Sequence, residues 1–221
     1  MTVQGPRLVL FDMDGVLADT VSSWVSVHDH FRVSNEENFR RFSRGDIDEM
    51  EFIRSDVGLW KSRKSDVSID DLRSILDRVP LMAGAKETVR ELKREGVRTA
   101  IISGGIDILA DRVRAETGID LALANGLACD AGGRLTGEGI LRVRIRDKGE
   151  SAREVMSMLG VRMDECASVG DTATDIPLFR NTHMGIAFNP AQREVEEEAD
   201  YTVRGRDLTG ILDCLKEWDR K

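Results

Sequence analysis

The 221-residue sequence predicts an α/β protein: a doubly wound, mostly parallel sheet, with a helical insert and a small β-hairpin. Three observations predict it. Short apolar runs rich in Val, Ile and Ala alternate with charged segments of helical period. Residues 20–80 hold amphipathic stretches but no buried-strand run, and a Gly-Gly pair interrupts the alternating segment CDAGGRLTGEGILRVRI.

In chain order, the first strand is Leu8 to Phe11. The insert follows, with helical stretches around Val21 to Phe31, Asn35 to Arg44, Ile47 to Trp60 and Ile69 to Val79. Helix Ala85 to Glu95 stops at Gly96, helix Ile106 to Thr117 at Gly118, and helix Glu150 to Leu159 at Gly160; glycine just past a helix supplies the left-handed cap. Between them lie strands Val97 to Ile102, Leu121 to Ala124, Cys166 to Val169 and Met184 to Phe188. The hairpin turns at Gly132 and Gly133, and the acidic run Glu194 to Asp200 reads as the solvated face of a short helix. Residues 1–19 and 81–221 then form the core domain and residues 20–80 the cap.

Composition narrows the function. Thirty-two basic against 40 acidic residues give a net charge of −8, which offers no electrostatic footprint for nucleic acid or an anionic membrane. No apolar run reaches the roughly 18–20 residues a bilayer requires, and the Met1 to Arg7 segment lacks the character of a signal peptide, so a cytoplasmic protein is expected. Cys129, Cys166 and Cys214 are odd in number and far apart, and read as buried thiols rather than a disulfide framework or zinc site.

Ligands of open α/β sheets bind beyond the carboxyl ends of the strands. There the first strand ends in Asp12-Met13-Asp14-Gly15, the second in Ser103-Gly104-Gly105 and the fourth in Gly170-Asp171-Thr172-Ala173-Thr174-Asp175. Taken singly, these are ordinary turn formers, a helix N-cap and favourable charges at a helix start. Together, two acidic clusters converging with a Ser-Gly-Gly turn exceed what capping requires.

The chemistry they suit is phosphoryl transfer to a carboxylate. Residues i and i+2 of an extended segment share a side, so Asp12 and Asp14 can face one pocket. Asp12 can attack phosphorus, and Asp14 can protonate the leaving alkoxide and later deprotonate water. Crowded carboxylates facing a phosphate call for a hard cation, which suits Mg²⁺: Asp12 and Asp171 are candidate ligands with the Asp14 carbonyl, and Asp175 reaches it directly or through water. Ser103 and the amides of Gly104 and Gly105, read as opening a helix, are candidates to bind phosphate oxygens. Lys148, at a helix start upstream of GDTATD, is the candidate cation for the transferring group. His28 and His30 do not face one another on a helix and read as cap surface or pocket lining, and Trp24 and Trp60 as packing between cap helices.

With FDMDGVL, IISGG, Lys148-Gly149, VGDTATDIPLF and GIAFNP in this order, the chain resembles haloacid dehalogenase superfamily phosphatases, most of all the phosphoserine phosphatase branch. The resemblance implies a Rossmann-like core with a C1-type helical cap, Asp12 as nucleophile, Asp14 as acid/base, Ser103 and Lys148 as phosphate ligands, and Asp171 and Asp175 as Mg²⁺ ligands. Four departures concern the substrate rather than the reaction. Val21 stands at the branch's cap glutamate with Asp19 nearby, Asp56 stands at its cap arginine with Arg54 nearby, Thr174 replaces Asn, and Gly15-Val16 replaces Ser-Thr. Asp19 and Arg54 are thus candidates for substrate specificity. The expected activity is hydrolysis of a small phosphorylated metabolite. Phosphotransfer to an alcohol differs only in water access to the aspartyl-phosphate, and a silent regulatory protein would be marked by loss of Asp12, Asp14 or Lys148, all of which are present.

Overall fold

The structure, a computed structural model, describes residues 5–220, so Met1 to Gln4 of the first segment lie outside it. Among the described residues the order is β1 Leu8–Phe11, α1 Ser23–Phe31, α2 Glu36–Arg44, α3 Glu49–Arg63, α4 Ile69–Leu76, α5 Ala85–Arg94, β2 Arg98–Ile106, α6 Asp107–Thr117, β3 Leu121–Cys129, β4 Leu135–Ile140 and α7 Lys148–Leu159. There follow β5 Cys166–Gly170, α8 Ile176–Phe179, β6 Met184–Phe188, α9 Arg193–Glu198, β7 Tyr201–Val203 and α10 Ile211–Leu215.

The seven strands form one sheet in the order β4-β3-β2-β1-β5-β6-β7. All neighbours are parallel except β3 and β4, which form the antiparallel hairpin. Strand β1 is central, with Leu8 opposite Arg98 on one side and Cys166 on the other. Its four residues are fully buried and alternate between faces: Val9 and Phe11 join one apolar cluster, Leu8 and Leu10 the other. The chain leaves β1 outward through β2 and β3 and returns to its other side as β5. The sheet therefore reverses direction between β1 and β5, and this opens a crevice at their carboxyl ends.

Helices α1 to α4 lie between β1 and α5 and contribute no strand to the sheet. Two start on capping boxes, Asp48 with Glu51 at α3 and Ser68 with Asp71 at α4, which satisfy otherwise orphaned amides. Val27, Ile53, Trp60 and Leu72 of these helices belong to the same apolar cluster as Phe11, Ile101 and Val169 of the sheet. Burying each such side chain is worth about 1.5–3 kcal/mol, so this cluster fixes the helices over one side of the sheet. Helix α2 is the exception, with Phe42 its only buried residue.

Three details depart from the sequence expectations. Strand β2 continues through Ser103, Gly104 and Gly105 to Ile106, with a register shift against β3, and α6 starts only at Asp107. Strand β3 runs on past Ala124 to Cys129 and becomes the first arm of the hairpin, which leaves Cys129 exposed rather than buried. An edge strand, β7, follows the acidic run, whose helix α9 buries Val195 and exposes its glutamates wholly or in part.

Candidate active site

The crevice between β1 and β5 collects the acidic residues. Asp12, Asp171 and Asp175 each offer a carboxylate oxygen within 4.8 Å of the others. Asp175 is fully buried, and its Oδ2 accepts from the Asp171 amide at 3.1 Å, the Thr172 amide at 3.0 Å and the Thr172 hydroxyl at 3.1 Å. That fixes the loop after β5 so that Asp171 faces β1. Gly15 permits the approach from the other side: its φ is +80°, and a Cβ there would lie 2.1 Å from Asp171 Oδ2.

Lys148 enters from the first turn of α7. It is buried, with Nζ 2.9 Å from Asp12 Oδ1 and 2.6 Å from Asp175 Oδ1. Burial opposes its charge, but the two carboxylates override this and hold it above the ordinary lysine value. One ammonium does not balance the acids around it. Burial first, then the Asp175 charge, pushes Asp12 up to about 7 despite Lys148. Burial, Asp12 and Asp175 push Asp171 up to about 8. Asp171 Oδ1 is buried with no hydrogen-bond partner. An all-oxygen set with surplus negative charge and an orphaned oxygen fits a divalent cation, which would be held by Asp12, Asp171 and Asp175.

Asp14 is set apart from this group by a residue the sequence analysis missed. Ser23, the first residue of α1, donates to Asp14 Oδ2 from its amide at 2.9 Å and its hydroxyl at 2.8 Å, while its Oγ accepts from the Ile106 amide at 3.0 Å. The bonds leave Asp14 Oδ1 buried and unpartnered. Burial raises the Asp14 pKa and the two bonds from Ser23 oppose the rise. The sequence signal was the Ser22-Ser23 pair heading an amphipathic stretch, which reads only as a helix start. Gly105 makes room for this contact, because a Cβ there would lie 2.6 Å from Ser23 Oγ and 2.7 Å from Asp14 Oδ2.

Ser103 is buried beside these groups, and its Oγ accepts from the Gly105 amide at 3.1 Å. The Gly105 amide is thus engaged within β2 rather than opening a helix. The Gly104 carbonyl accepts from Trp24 Nε1 at 3.0 Å, which ties α1 to the end of β2.

Above the crevice lies a cavity of about 750 Å³ that includes Asp12, Asp14, Ser103, Gly104, Gly105 and Lys148 in its floor. Neither proposed specificity residue lines it. Asp19 is exposed outside it, and Arg54 pairs with Glu138 of the hairpin at 2.8 Å. The reason is helical geometry: Asp56, two residues beyond Arg54 and so about 200° around α3, faces inward, which turns Arg54 outward. Asp56 instead accepts at Oδ1 from Asn35 Nδ2 at 2.6 Å and lies 2.9 Å from His28 Nε2, while Trp60 Nε1 donates to His28 Nδ1 at 2.8 Å. Trp60 is core, as expected, but Trp24, stacked on it at 5.8 Å, also lines the cavity.

Comparison with known proteins agrees with the fold. The model of the haloacid dehalogenase-like hydrolases matches residues 6–182. A phosphoserine phosphatase of Methanocaldococcus jannaschii is 31% identical over 95% of this chain and 98% of its own length. One of Archaeoglobus fulgidus is 34% identical over 95% of this chain, which spans 60% of that relative's length. Among solved structures, a phospho-aspartyl intermediate analogue of phosphoserine phosphatase superposes with a TM-score of 0.79 at 30% identity, over 96% of this chain and 99% of that one. A substrate-bound phosphoserine phosphatase complex gives 0.80 at 29% identity, over 95% and 98%. The fold and site define a hydrolase that works at the switch point of an α/β sheet. The chain belongs to the haloacid dehalogenase-like hydrolases, and its relatives are phosphoserine phosphatases. Among the described residues, no helix is long and apolar enough to cross a membrane.

Proposed function

We propose that this chain is a phosphoric monoester hydrolase that acts on a small phosphorylated metabolite through an aspartyl-phosphate on Asp12, with Mg²⁺ as cofactor. The observation that carries the reading is the convergence of Asp12, Asp14, Lys148 and the Asp171–Asp175 loop on one buried crevice. The similarity to a phospho-aspartyl intermediate analogue supports it.

In this reading the Asp12 carboxylate attacks phosphorus as the bond to the leaving oxygen breaks. Asp14, protonated at Oδ1, gives that proton to the leaving alcohol; its raised pKa favours the protonated form, and Ser23 keeps Oδ1 free for the task. The resulting Asp14 carboxylate then takes a proton from the water that attacks the aspartyl-phosphate, which releases phosphate and regenerates Asp12. Lys148 and the Ser103 hydroxyl, whose oxygen already accepts from Gly105, hold the phosphoryl oxygens. Mg²⁺ bound by Asp12, Asp171 and Asp175, with the Asp14 carbonyl, would supply positive charge against the phosphate and favour ionised Asp12. Residues 20–80 act as the cap that closes the cavity and selects the substrate, and residues 1–19 and 81–221 as the catalytic core. The thiols, with Cys129, Cys166 and Cys214 all unpaired, suit a reducing cytoplasmic compartment.

The test is phosphate release from p-nitrophenyl phosphate with Mg²⁺ or EDTA, for the wild type and Asp12→Asn. Turnover is expected with Mg²⁺ alone, and the variant should lose at least about 10³-fold while keeping its far-UV circular dichroism. Near-wild-type turnover in Asp12→Asn overturns the mechanism.

A further inference from the structure

The end of the cavity away from the phosphoryl group carries an unusual set of charges. Among the described residues, Lys148 is the only lysine or arginine in its lining, and it is held at the reacting end by Asp12 and Asp175. The cap contributes Asp29, Glu36 and Asp56. It also contributes His28, but Trp60 Nε1 can only donate, so His28 Nδ1 carries a lone pair and the ring is neutral, giving its Nε2 hydrogen to Asp56. Asp56, 1% exposed, already accepts from Asn35 and His28, and Glu36 pairs with Arg40 at 3.0 Å on the surface, so a bound alcohol meets Asp29 and the rim carboxylate Glu36, with no lysine or arginine of the described lining placed for a carboxylate.

The walls have their own character. Val21, Val25 and Phe39 are 89%, 42% and 58% exposed, and they are three of the six exposed large apolar residues among those described. Scattered exposed apolar residues are ordinary, but all three of these line one cavity, which marks a ligand surface. Trp24 and Phe52 add ring faces, to which an ammonium group is attracted. A volume of about 750 Å³ lies within the roughly 300–1,000 Å³ range of small-molecule sites, which leaves room for a hydrocarbon body beside the phosphoryl group.

We propose, building on the phosphomonoesterase reading, that the substrate is the phosphomonoester of an amine-bearing alcohol with an apolar body and no carboxylate. Its ammonium group faces Asp29 and Glu36, where it replaces the exposed Arg40 as the partner of Glu36, and its hydrocarbon lies against Val25, Phe39 and Trp24. The selectivity works by attraction and by exclusion at once: acids and rings favour the amine, and the same acids reject a carboxylate.

Four compounds decide it: O-phosphoserine, O-phosphoethanolamine, the phosphate ester of phenylalaninol, and the N-acetylated form of that ester. Wild-type kcat/KM is measured for each with Mg²⁺, and each is titrated calorimetrically into Asp12→Asn. The phenylalaninol ester is expected to exceed O-phosphoethanolamine by roughly tenfold or more, and O-phosphoethanolamine to exceed O-phosphoserine by a similar factor. N-acetylation should cost about tenfold, and the double variant D29N/E36Q should lower the ratio of O-phosphoethanolamine to O-phosphoserine about tenfold. Equal or better use of O-phosphoserine, or indifference to N-acetylation, overturns the proposal. Should the wild type release phosphate from none of these, nor from p-nitrophenyl phosphate, the phosphomonoesterase reading falls, and the order of binding to Asp12→Asn still decides the ligand class.

Discussion

Lys148→Met removes the one cation that the described residues place in the crevice and keeps most of the side chain's bulk. Lys148 is 3% exposed, and its two partners, Asp12 and Asp175, are 7% and 0% exposed, so water does not replace it at Asp12 Oδ1 and Asp175 Oδ1, although Asp175 Oδ2 keeps its bonds to the Asp171–Thr172 loop. Removing one partner of a buried ion pair costs about 3–5 kcal/mol. In a chain of this length each kcal/mol moves Tm by about 2–4 °C, so metal-free protein at pH 8 should melt about 6–20 °C lower. The sign of the pH dependence follows from Asp12, whose folded pKa is raised from 3.8 to about 7. The native state binds a proton there that the unfolded chain has lost, so the stability from protonated Asp12 is present at low pH and fades as pH rises through about 7. Lys148, held above its ordinary value, keeps its charge throughout this window. At pH 5 a protonated Asp12 has no need of a cation, so the loss should be smaller. Thermal melts in EDTA at pH 5 and pH 8 measure both, and turnover should fall on the order of 10²–10³-fold. A Tm unchanged at pH 8, or equally lowered at both pH values, refutes the reasoning.

Three other outcomes are expected. Ser23→Ala removes a hydroxyl bond that favours ionised Asp14, so kcat should fall about tenfold and the alkaline limb of kcat/KM should move to higher pH, read from a pH–rate profile. Because Asp12 and Asp171 are raised to about 7 and about 8, Mg²⁺ should raise Tm more at pH 8 than at pH 5, where protons hold its ligands; at 100 times Kd the gain is about 2.7 kcal/mol, checked by melts with Mg²⁺ and with EDTA. Trp60→Phe deletes the donor to His28 Nδ1 in a buried network and should cost about 1–3 kcal/mol, seen as a lower urea midpoint at unchanged m-value.

The acidic loops were legible in the sequence because strand ends are local: an apolar run stops where Asp12, Ser103 or Asp171 begins, and parallel topology brings those ends together. Lys148 was legible for the same reason, as a helix start close ahead of β5. What failed depends on how helices are rotated in space. The sequence alone does not say which flank of α3 faces the cavity, so Arg54 was the specificity candidate, whereas in the structure Asp56 turns inward and Arg54 pairs with Glu138 of the hairpin. Ser23 escaped because only the fold brings its partners to it: the Ile106 amide is 83 residues away. The continuation of β2 through two glycines escaped because glycine disfavours strands and pairing with β3 resumes only at Ile106, opposite Asn125, after a register shift. β7 has three residues, too short to show a period.

The shallow anchoring of α2 has a consequence for how this protein can change over generations. Helices α1, α3 and α4 share their apolar cluster with the sheet, so substitutions on their inner faces are felt in the core. Helix α2 is held by Phe42, stacked on Phe52 at 5.1 Å with Arg146 over its ring, yet it carries Glu36 and Phe39 at the cavity. Those two positions can be replaced without opening a hole beneath the catalytic loops, since surface substitutions commonly stay within about 0.5 kcal/mol. Evolvability is thus concentrated on the most thinly anchored of these helices: a lineage can rewrite what it accepts at α2 while the crevice and its acids stay as they are.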